Sequence, residues 1–208
     1  MATQFSPDEI RRKYDDFAGT YARVERVQDV LLGTRRLRRR VFGRARGAVL
    51  EVAAGTGGNF AHYARQCRVS AVDMSPRMLE IAGRRAASLG LDVELRTMDA
   101  GALEFADDTF DTVTSSLSLC TFSDPVVALR EMGRVCRPAG RILLLEHGRS
   151  DREWLGRFQD RRAQAHAQPL GCHWNRRPLD LLDLAGLRVI TARRTLLGVF
   201  HEIEAAPA

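Results

Sequence analysis

The rest of the chain is organised around one segment, Val49-Leu50-Glu51-Val52-Ala53-Ala54-Gly55-Thr56-Gly57-Gly58. Its first four residues have strand character, and a glycine-rich turn follows them directly. Glycine lets the backbone turn sharply and approach a ligand closely, because no Cβ is in the way. A helix that begins beyond the turn, from Asn59, directs free backbone N–H groups at whatever is bound there. The stretch therefore predicts a site for a nucleotide-containing cofactor, although such a turn can also be a turn and nothing more.

Length and composition predict one domain. The chain has 208 residues, of which 45% are hydrophobic, enough apolar material for a single core. No apolar run is long enough to span a bilayer, and residues 1–12 lack the apolar segment of a signal peptide. We therefore expect a cytoplasmic protein whose contact with membranes, if it has any, is peripheral. The sequence does not predict an oligomeric state.

The four cysteines give no sign of a metal site in their spacing. Cys67, Cys120, Cys136 and Cys172 form no C-x-x-C pair and show no His/Cys ligand pattern. We expect reduced thiols and no bound metal.

The N-terminal region contains aromatic residues and then an arginine cluster. Residues 5–23 include Tyr14 and Tyr21 but look too broken for one long helix. Beyond them, apolar residues fall near helical spacing between Val24 and Val41, and arginines at 35, 36, 38, 39 and 40 crowd the other faces. These arginines favour a solvated helix face over an anionic partner such as RNA or lipid headgroups, because no aromatic residues alternate with them for base stacking.

From Ala48 onward, strand and helix patterns alternate. Ser75 with Pro76, and Asp124 with Pro125, are typical helix starts, and Gly90 is a typical helix stop. A polar, arginine-rich segment after residue 147 carries no clear pattern. The alternation predicts an α/β fold with a doubly wound, mostly parallel sheet of seven strands, closed by an antiparallel C-terminal edge hairpin. The expected strands are 48–52, 68–72, 92–96, 110–115, 142–145, 187–193 and 198–204. The expected helices are 59–66, 76–89, one from Pro125 through Val135 that Pro138-Ala139-Gly140 ends, and 178–185.

The acid at Glu51 decides which cofactor fits the turn. Asp73 follows at close to the roughly 20-residue offset of an acid that binds ribose hydroxyls. A nicotinamide dinucleotide remains an alternative, but the dinucleotide fingerprint lacks its first glycine when read from Ala53 and fails at Phe60 when read from Gly55. A carboxylate at Glu51 repels a pyrophosphate and suits a cofactor with positive charge. S-adenosylmethionine has an α-ammonium and a sulfonium and no phosphate.

Residues 14–146 resemble the class I S-adenosylmethionine-dependent methyltransferases. Glu51 to Gly57 matches the family's first motif, acid-x-Gly-x-Gly-x-Gly, except that Ala53 stands at the first glycine. The segments 110–113 and 137–143 match the fourth strand and the turn into the fifth. The resemblance implies a Rossmann-like fold, an N-terminal helical lid and S-adenosylmethionine as cofactor, with S-adenosylhomocysteine as product. The cofactor-binding residues it implies are Glu51, Ala53, Gly55, Thr56, Gly57, Asn59, Asp73, Met74, Met98, Asp99, Ala100 and Ser115, with Tyr14 and Tyr21 in the lid.

The same resemblance divides the chain into functional parts of a single domain, 1–208. Residues 1–46 are the expected lid segment, 47–146 the cofactor-binding core, and 147–208 the substrate-side segment with the hairpin. The aromatic pair Tyr14 and Tyr21 is similar to the lid of the subfamily that methylates quinones and phospholipids. Leu119-Cys120-Thr121, Glu146-His147 and Gly171-Cys172 look like the alkyl-thiol S-methyltransferases, and also resemble bacterial phosphatidylethanolamine N-methyltransferases.

The acceptor is expected to be a thiol, amine or hydroxyl of a small molecule or lipid, methylated by in-line displacement. His147 is the candidate base, because histidine titrates near neutral pH, or else a histidine that only hydrogen-bonds at the sheet's rim. Two other readings stay open: RNA as the acceptor, which the sequence does not favour, and a non-catalytic binding module. The residues expected to form the substrate pocket are Ser116, Leu119, Cys120, His173 and Trp174.

Overall fold

The computed structural model describes residues 5–207 and contains one seven-stranded sheet with the order β3-β2-β1-β4-β5-β7-β6. The strands are β1 Ala48–Val52, β2 Arg68–Asp73, β3 Val93–Thr97, β4 Phe110–Ser116, β5 Cys136–His147, β6 Arg188–Thr195 and β7 Phe200–Ala206. The helices are α1 Pro7–Leu31, α2 Thr34–Phe42, α3 Pro76–Ser88, α4 Pro125–Val135, α5 Glu153–Leu170 and α6 Pro178–Leu184, with a single 3₁₀ turn at Phe60–His62.

The predicted topology is confirmed. β1 pairs in parallel with β2 on one side and with β4 on the other, so the chain crosses from one half of the sheet to the other beside β1. Such a crossing is the place where ligands bind at the carboxyl ends of parallel strands. β7 runs antiparallel to both β5 and β6, and therefore closes the sheet with the expected hairpin.

Two apolar layers sandwich the sheet because successive strand side chains point to opposite faces. Leu50 and Val52 of β1 pack with residues of α4 and α6, among them Leu129. Val49 of the same strand packs on the other face with Phe42 of α2 and with residues of α3. Residues 142–145 of β5 are fully buried, as is typical of a strand covered on both faces.

The predicted caps of two helices are also confirmed. The Ser75 hydroxyl accepts a hydrogen bond from the Met78 amide at 3.1 Å, and Gly90 follows α3 with φ 62°. The Asp124 carboxylate accepts from the amides of Val126 and Val127, both at 3.0 Å. Each cap contributes about 1 kcal/mol to stability. The α3 cap also orients the turn that carries Asp73 and Met74.

The prediction that residues 5–23 are too broken for a long helix is wrong. α1 runs for 25 residues through Gly19, because tertiary packing outweighs the roughly 1 kcal/mol that a helical glycine costs. Helical periodicity brings Tyr14 and Phe17 against Tyr21, with ring centroids 6.1 and 6.0 Å from that of Tyr21. α1 lies against α2, α3 and α5. α1 is therefore one continuous helix that packs against three other helices.

Three smaller predictions also need correction. The helix expected over 59–66 is only the 3₁₀ turn Phe60–His62, because Tyr63 returns to extended backbone at ψ 143°. Pro138-Ala139-Gly140 does not end α4, which stops at Val135, and lies within β5 instead. The polar segment after residue 147 forms α5, an 18-residue helix whose first residue, Glu153, makes ion pairs with Arg157 of the same helix and with Arg149, which precedes the helix. Its mostly polar faces hide the helical pattern.

The arginine cluster is only partly solvated. Arg38 is 3% exposed, so the predicted solvated face is wrong for this residue. Arg40 forms an ion pair with Glu202, and Arg44 forms one with Glu204, which ties α2 and the residues after it to β7. These three side chains are occupied within the fold. In the described part of the chain, no helix combines the length and apolar character needed to cross a membrane.

Candidate functional site

A cavity opens at the carboxyl ends of β1, β2 and β4, where the strand order reverses. α1 forms one wall of this cavity, through side chains that lie on the same face of the helix. The lining residues are Ile10, Tyr14, Tyr21, Ala53, Gly55, Asp73, Met74, Met78, Met98, Asp99, Ala100, Ser116, Leu117, Ser118, Thr121, Phe122 and Ser123.

Asp73 is held rigidly at the edge of this cavity. Its Oδ2 accepts a hydrogen bond from the Gly55 amide at 2.8 Å, and its Oδ1 accepts one from the Ser75 amide at 2.8 Å. Burial raises the pKa of Asp73 to about 6, against the opposing effect of these two amides. Each carboxylate oxygen keeps a second lone pair. Asp73 can therefore accept further hydrogen bonds from hydroxyl groups in the cavity.

Ala53 adopts a backbone conformation that suits glycine. Its φ is 55°, in the left-handed region, where a side chain costs roughly 1–2 kcal/mol. Gly55 and Gly57 have φ of 55° and 73° without that cost. The turn therefore explains why the first motif has glycine at this position and why alanine is a strained replacement.

Glu51 lies behind the turn. Its carboxylate accepts hydrogen bonds from Asn59 Nδ2 and from the Tyr63 hydroxyl, both at 2.8 Å. Burial raises the pKa of Glu51 to about 7, although these two hydrogen bonds oppose the shift. Glu51 is 1% exposed and is not among the residues that line the cavity. In this structure the Glu51 side chain supports the turn from below.

Arg38 joins this buried network, which the sequence did not reveal. Its Nη1 donates to Asn59 Oδ1 at 2.5 Å and to the Ser116 hydroxyl at 3.0 Å. Its Nη2 lies 3.4 Å from a carboxylate oxygen of Glu25, and Glu25 accepts from the Thr56 hydroxyl at 2.9 Å. A buried arginine thus links α1, α2, the glycine turn and the end of β4. No spacing rule in the sequence distinguishes Arg38 from the exposed arginines beside it.

The predicted cofactor residues divide into two groups. Nine line the cavity: Tyr14, Tyr21, Ala53, Gly55, Asp73, Met74, Met98, Asp99 and Ala100. Five do not line it, and these are Glu51, Thr56, Gly57, Asn59 and Ser115. Ser115 is fully buried, and its hydroxyl donates to the Val52 carbonyl at 2.7 Å. The residues of the second group either belong to the turn itself or are buried beside it.

The charge of the side chains that line the cavity disfavours a ligand that carries phosphate. Asp73 and Asp99 contribute carboxyl groups, and no basic side chain is among the lining residues that the structure describes. A pyrophosphate would find no counter-charge there, whereas a cationic ligand is favoured. The thioether and aromatic side chains of Met74, Met98 and Phe122 offer apolar surface to a flat base. These features fit S-adenosylmethionine, and they do not fit a dinucleotide.

Only one of the predicted substrate residues, Ser116, lines the cavity. The sequence missed Leu117, Ser118, Thr121, Phe122 and Ser123, which continue along the same loop after β4. Trp174 packs instead against α5, where its ring stacks on His166 at 4.1 Å and its Nε1 donates to the Gln159 carbonyl at 2.9 Å. The sequence also missed Ile10, because placing it here requires the long helix α1.

Two loops meet beside the cavity and are bonded to each other. The His173 amide donates to the Cys120 carbonyl at 2.8 Å, and Arg176 Nη1 donates to the carbonyls of Leu119 and Phe122 at 2.5 and 2.8 Å. Glu146 accepts from the Ser118 and Leu119 amides at 3.0 and 3.2 Å. The loop after β4 is therefore fixed by the end of β5 and by the loop after α5.

These contacts bring Cys120, His147 and Cys172 together, although the sequence showed no ligand spacing. One potential ligand atom from each of the three lies within 4.8 Å of the other two, and His147 Nε2 is 3.5 Å from Cys172 Sγ. Hydrogen bonds from Cys120 and His147 lower the pKa of the Cys172 thiol. Burial opposes ionisation of His147, but its hydrogen bond with Cys172 raises the pKa of the ring overall. All four cysteines are free thiols.

Residues 50–144 match a family model described as a methyltransferase domain. The chain is 40% identical over 147 residues to demethylmenaquinone methyltransferase of Renibacterium salmoninarum, covering 67% of this chain and 59% of that protein. It is 38% identical over 108 residues to phosphatidylethanolamine N-methyltransferase of Cereibacter sphaeroides, covering 51% of this chain and 53% of the relative. The chain thus spans little more than half the length of these relatives.

Solved structures share the fold. A SAM-dependent methyltransferase from Thermotoga maritima superposes with a TM-score of 0.70 at 20% identity, covering 96% of this chain and all of that one. At this identity the likeness shows the fold alone. Residues 50–144 therefore match a methyltransferase domain, and the sequence relatives, the fold and the ordered motifs around the cavity are similar to those of the class I S-adenosylmethionine-dependent methyltransferases.

Proposed function

We propose that the chain binds S-adenosylmethionine in the cavity and transfers its methyl group to a small-molecule or lipid acceptor, releasing S-adenosylhomocysteine. The observation that carries this proposal is the cavity at the strand crossing, with two carboxyl groups and no basic side chain among its described lining residues. S-adenosylmethionine supplies an electrophilic methyl group on a positively charged sulfur. An acidic, partly apolar cavity stabilises that charge and excludes phosphate-bearing nucleotides.

The lining residues take roles that follow from their chemistry. Asp73 accepts hydrogen bonds from the ribose hydroxyls, for which its remaining lone pairs are available. Met74 and Met98 pack against the adenine, with Asp99 and Ala100 at its amino group. The backbone of Ala53 and Gly55 lies against the methionine portion.

α1 acts as the lid in this proposal. Tyr14 and Tyr21 line the cavity from α1, and burial raises the pKa of both phenols, so they remain neutral hydrogen-bonding groups. A lid that excludes water strengthens the electrostatic contacts of a charged ligand and prevents hydrolysis. Residues 1–46 then serve as the lid segment, as the sequence predicts, and α1 is its moving part.

The acceptor enters beside the loop after β4, where Ser116, Leu117, Ser118, Thr121 and Phe122 line the cavity. The names of the two relatives point to a quinone or a phospholipid, and the motifs around Cys120 point to a thiol. A base role for His147 and a cytoplasmic location stay predictions. Since Arg38, Arg40 and Arg44 are engaged within the fold, RNA as the acceptor gains no support.

The proposal is tested by calorimetry and by an acceptor panel. S-adenosylmethionine and S-adenosylhomocysteine should both bind, and each should bind more weakly to Asp73→Ala. A panel of thiols, amines, quinols and phosphatidylethanolamine vesicles should then contain an acceptor that is methylated faster by the wild type than by Asp73→Ala. Failure of both ligands to bind at millimolar concentration would refute the proposal. Binding without transfer to any acceptor would favour the non-catalytic alternative.

A further inference from the structure

Three separate elements bring sulfur and nitrogen ligands to one point. Cys120 comes from the loop after β4, His147 from the end of β5, and Cys172 from the loop after α5. Their Sγ, Nε2 and Sγ atoms are mutually within reach of one small cation. Among the described residues, this is the one such group of three or more His, Cys, Asp or Glu side chains.

The donor set has the composition of a particular class of metal site. Two thiolates and one imidazole suit Zn²⁺, which prefers four tetrahedral ligands of this kind. Two thiolate charges neutralise the cation, so the ion can be bound in a buried place without excess charge. A site with three protein ligands leaves its fourth position open, which is the arrangement of catalytic rather than structural zinc.

The surroundings hold the three side chains in place before any ion binds. The His173 amide and the Cys120 carbonyl join the two cysteine-bearing loops at 2.8 Å, and His166 Nδ1 lies 3.1 Å from the Cys172 carbonyl oxygen. His147 belongs to β5, which pairs with β4 and β7. Glu146, the nearest carboxylate in sequence, is already bound to the Ser118 and Leu119 amides and so leaves the fourth position free.

The cluster lies at the acceptor side of the cofactor cavity. Thr121 and Ser118, which flank Cys120 and its neighbour Leu119 in the same loop, line that cavity. An ion at the cluster would therefore be next to the place from which the acceptor reaches the methyl group.

We propose that Cys120, His147 and Cys172 bind Zn²⁺, and that the fourth position of this ion takes the sulfur of a small-molecule thiol, which is the methyl acceptor. The proposal rests on the methyl-transfer function proposed above and names its acceptor class. A soft, sulfur-rich site selects thiols over amines and hydroxyls. Metal coordination removes the thiol proton at neutral pH and leaves a nucleophilic thiolate.

The acceptor thiol loses its proton to solvent as its sulfur binds the metal. The thiolate sulfur then donates an electron pair to the methyl carbon, and a new sulfur–carbon bond forms. The bond between that carbon and the sulfonium sulfur breaks, and its electron pair stays on the departing sulfur. The products are a neutral methyl thioether, a weak metal ligand that leaves the site, and S-adenosylhomocysteine.

Metal binding is tested on the full chain by cobalt substitution. The protein is stripped with a chelator, reduced, and titrated with Co²⁺ and then Zn²⁺. We expect about one ion per chain, with a thiolate-to-cobalt charge-transfer band that Zn²⁺ removes. Because losing even an outer-shell partner costs about 10–100-fold in affinity, Cys120→Ser and Cys172→Ser should each weaken binding by ~100-fold or more. Cys67→Ser, which removes a thiol outside the cluster, should bind like the wild type.

The proposal that a zinc-bound thiol is the methyl acceptor is tested with 2-mercaptoethanol as substrate. We expect the zinc-loaded enzyme to methylate it, the metal-free enzyme to lose most of that rate, and Zn²⁺ to restore it. S-adenosylhomocysteine affinity, measured on the same samples, should not change with zinc or with Cys172→Ser, which also shows that the variant is folded. This control separates the two proposals, because a failure of the cofactor site appears as lost S-adenosylhomocysteine binding even where the cobalt band is present.

Two results would overturn the inference. One is the absence of a thiolate–cobalt band in wild-type protein, or an equal band in Cys172→Ser and Cys67→Ser. The other is a rate of 2-mercaptoethanol methylation that is the same with and without zinc.

Discussion

The Gly55 amide donates a hydrogen bond to the Asp73 carboxylate at 2.8 Å, and this bond joins the glycine turn after β1 to the end of β2. The two motifs that we propose to contact the methionine portion and the ribose of the cofactor are thereby held in fixed register. Asp73 has a structural partner on each oxygen and still lines the cavity. The role that we propose for Asp73 in binding and its role in holding the turn can be separated by experiment.

Asp73→Ala should weaken S-adenosylhomocysteine binding by about 10–100-fold, because hydrogen bonds to a charged group contribute about 1.5–3 kcal/mol. Calorimetry measures the affinity, and a thermal melt shows how much of the change comes from the loosened turn. Asp92→Ala, which alters an exposed acid ahead of β3, should leave the affinity unchanged. Equal affinities for the two variants would contradict the assignment of Asp73.

Ala53→Gly should stabilise the protein. The φ of 55° at Ala53 strains any side chain, so glycine should raise the free energy of unfolding by about 1 kcal/mol. In a domain of this size that corresponds to a rise in Tm of roughly 2–4 °C. Ala87→Gly, at an exposed position inside α3, should lower the Tm, since glycine there costs about 0.5–1 kcal/mol. A fall in Tm for both variants would show that Ala53 is not strained.

Arg38→Met should destabilise the protein far more than the same substitution at its neighbour, Arg39→Met. It removes a buried guanidinium from Glu25, Asn59 and Ser116, and breaking a buried pair costs about 3–5 kcal/mol. Arg39→Met, on an exposed face of α2, should change stability by less than about 0.5 kcal/mol. Urea unfolding of both variants measures the difference. Similar midpoints would mean that the buried network contributes little.

Glu51 should make stability fall as the pH rises. Its pKa is about 7 in the folded protein against 4.5 ordinarily, so the folded state binds the proton more tightly. The stabilising contribution of protonated Glu51 is fully present below pH 4.5 and is lost as the pH rises through about 7. The free energy of unfolding should fall by up to about 3 kcal/mol over this window. Glu51→Gln keeps the shape of the side chain and should flatten the curve of unfolding free energy over this window. Parallel curves for the two proteins would contradict the prediction.

Ligand binding should protect α1 from proteolysis. Ile10, Tyr14 and Tyr21 contribute to the cavity wall, so a bound ligand adds contacts that oppose opening of the helix. Saturating S-adenosylhomocysteine should slow trypsin cleavage within α1, for which Arg11, Arg12 and Arg23 offer sites, relative to cleavage elsewhere in the chain. An unchanged ratio of the two rates would argue against a lid.

The sequence predicted the features that depend on local chemistry. Caps such as Ser75 and Asp124 act within three residues of themselves, and the strand ends around Asp73 and Asp99 follow from the alternation of elements. α5 could not be predicted in this way, because ion pairs such as Arg149 with Asp160 stabilise a helix without a wide apolar stripe.

Features that depend on contacts between distant parts of the chain could not be predicted from the sequence either. The burial of Arg38 and the meeting of Cys120, His147 and Cys172 each depend on elements far apart in the chain. The sequence expectation of no metal site rested on linear spacing, which cannot detect ligands supplied by three separate elements.

The position of β7 has a consequence for the order in which the protein can form. β5 and β6 are separated by β7, so residues 200–206 must be made before either strand is covered on that side. Until then both present unpaired backbone edges, the kind of surface on which growing chains aggregate. Arg40 and Arg44 also find Glu202 and Glu204 only after β7 is in place. We therefore expect the growing chain to leave these edges of β5 and β6 unpaired until β7 has been made.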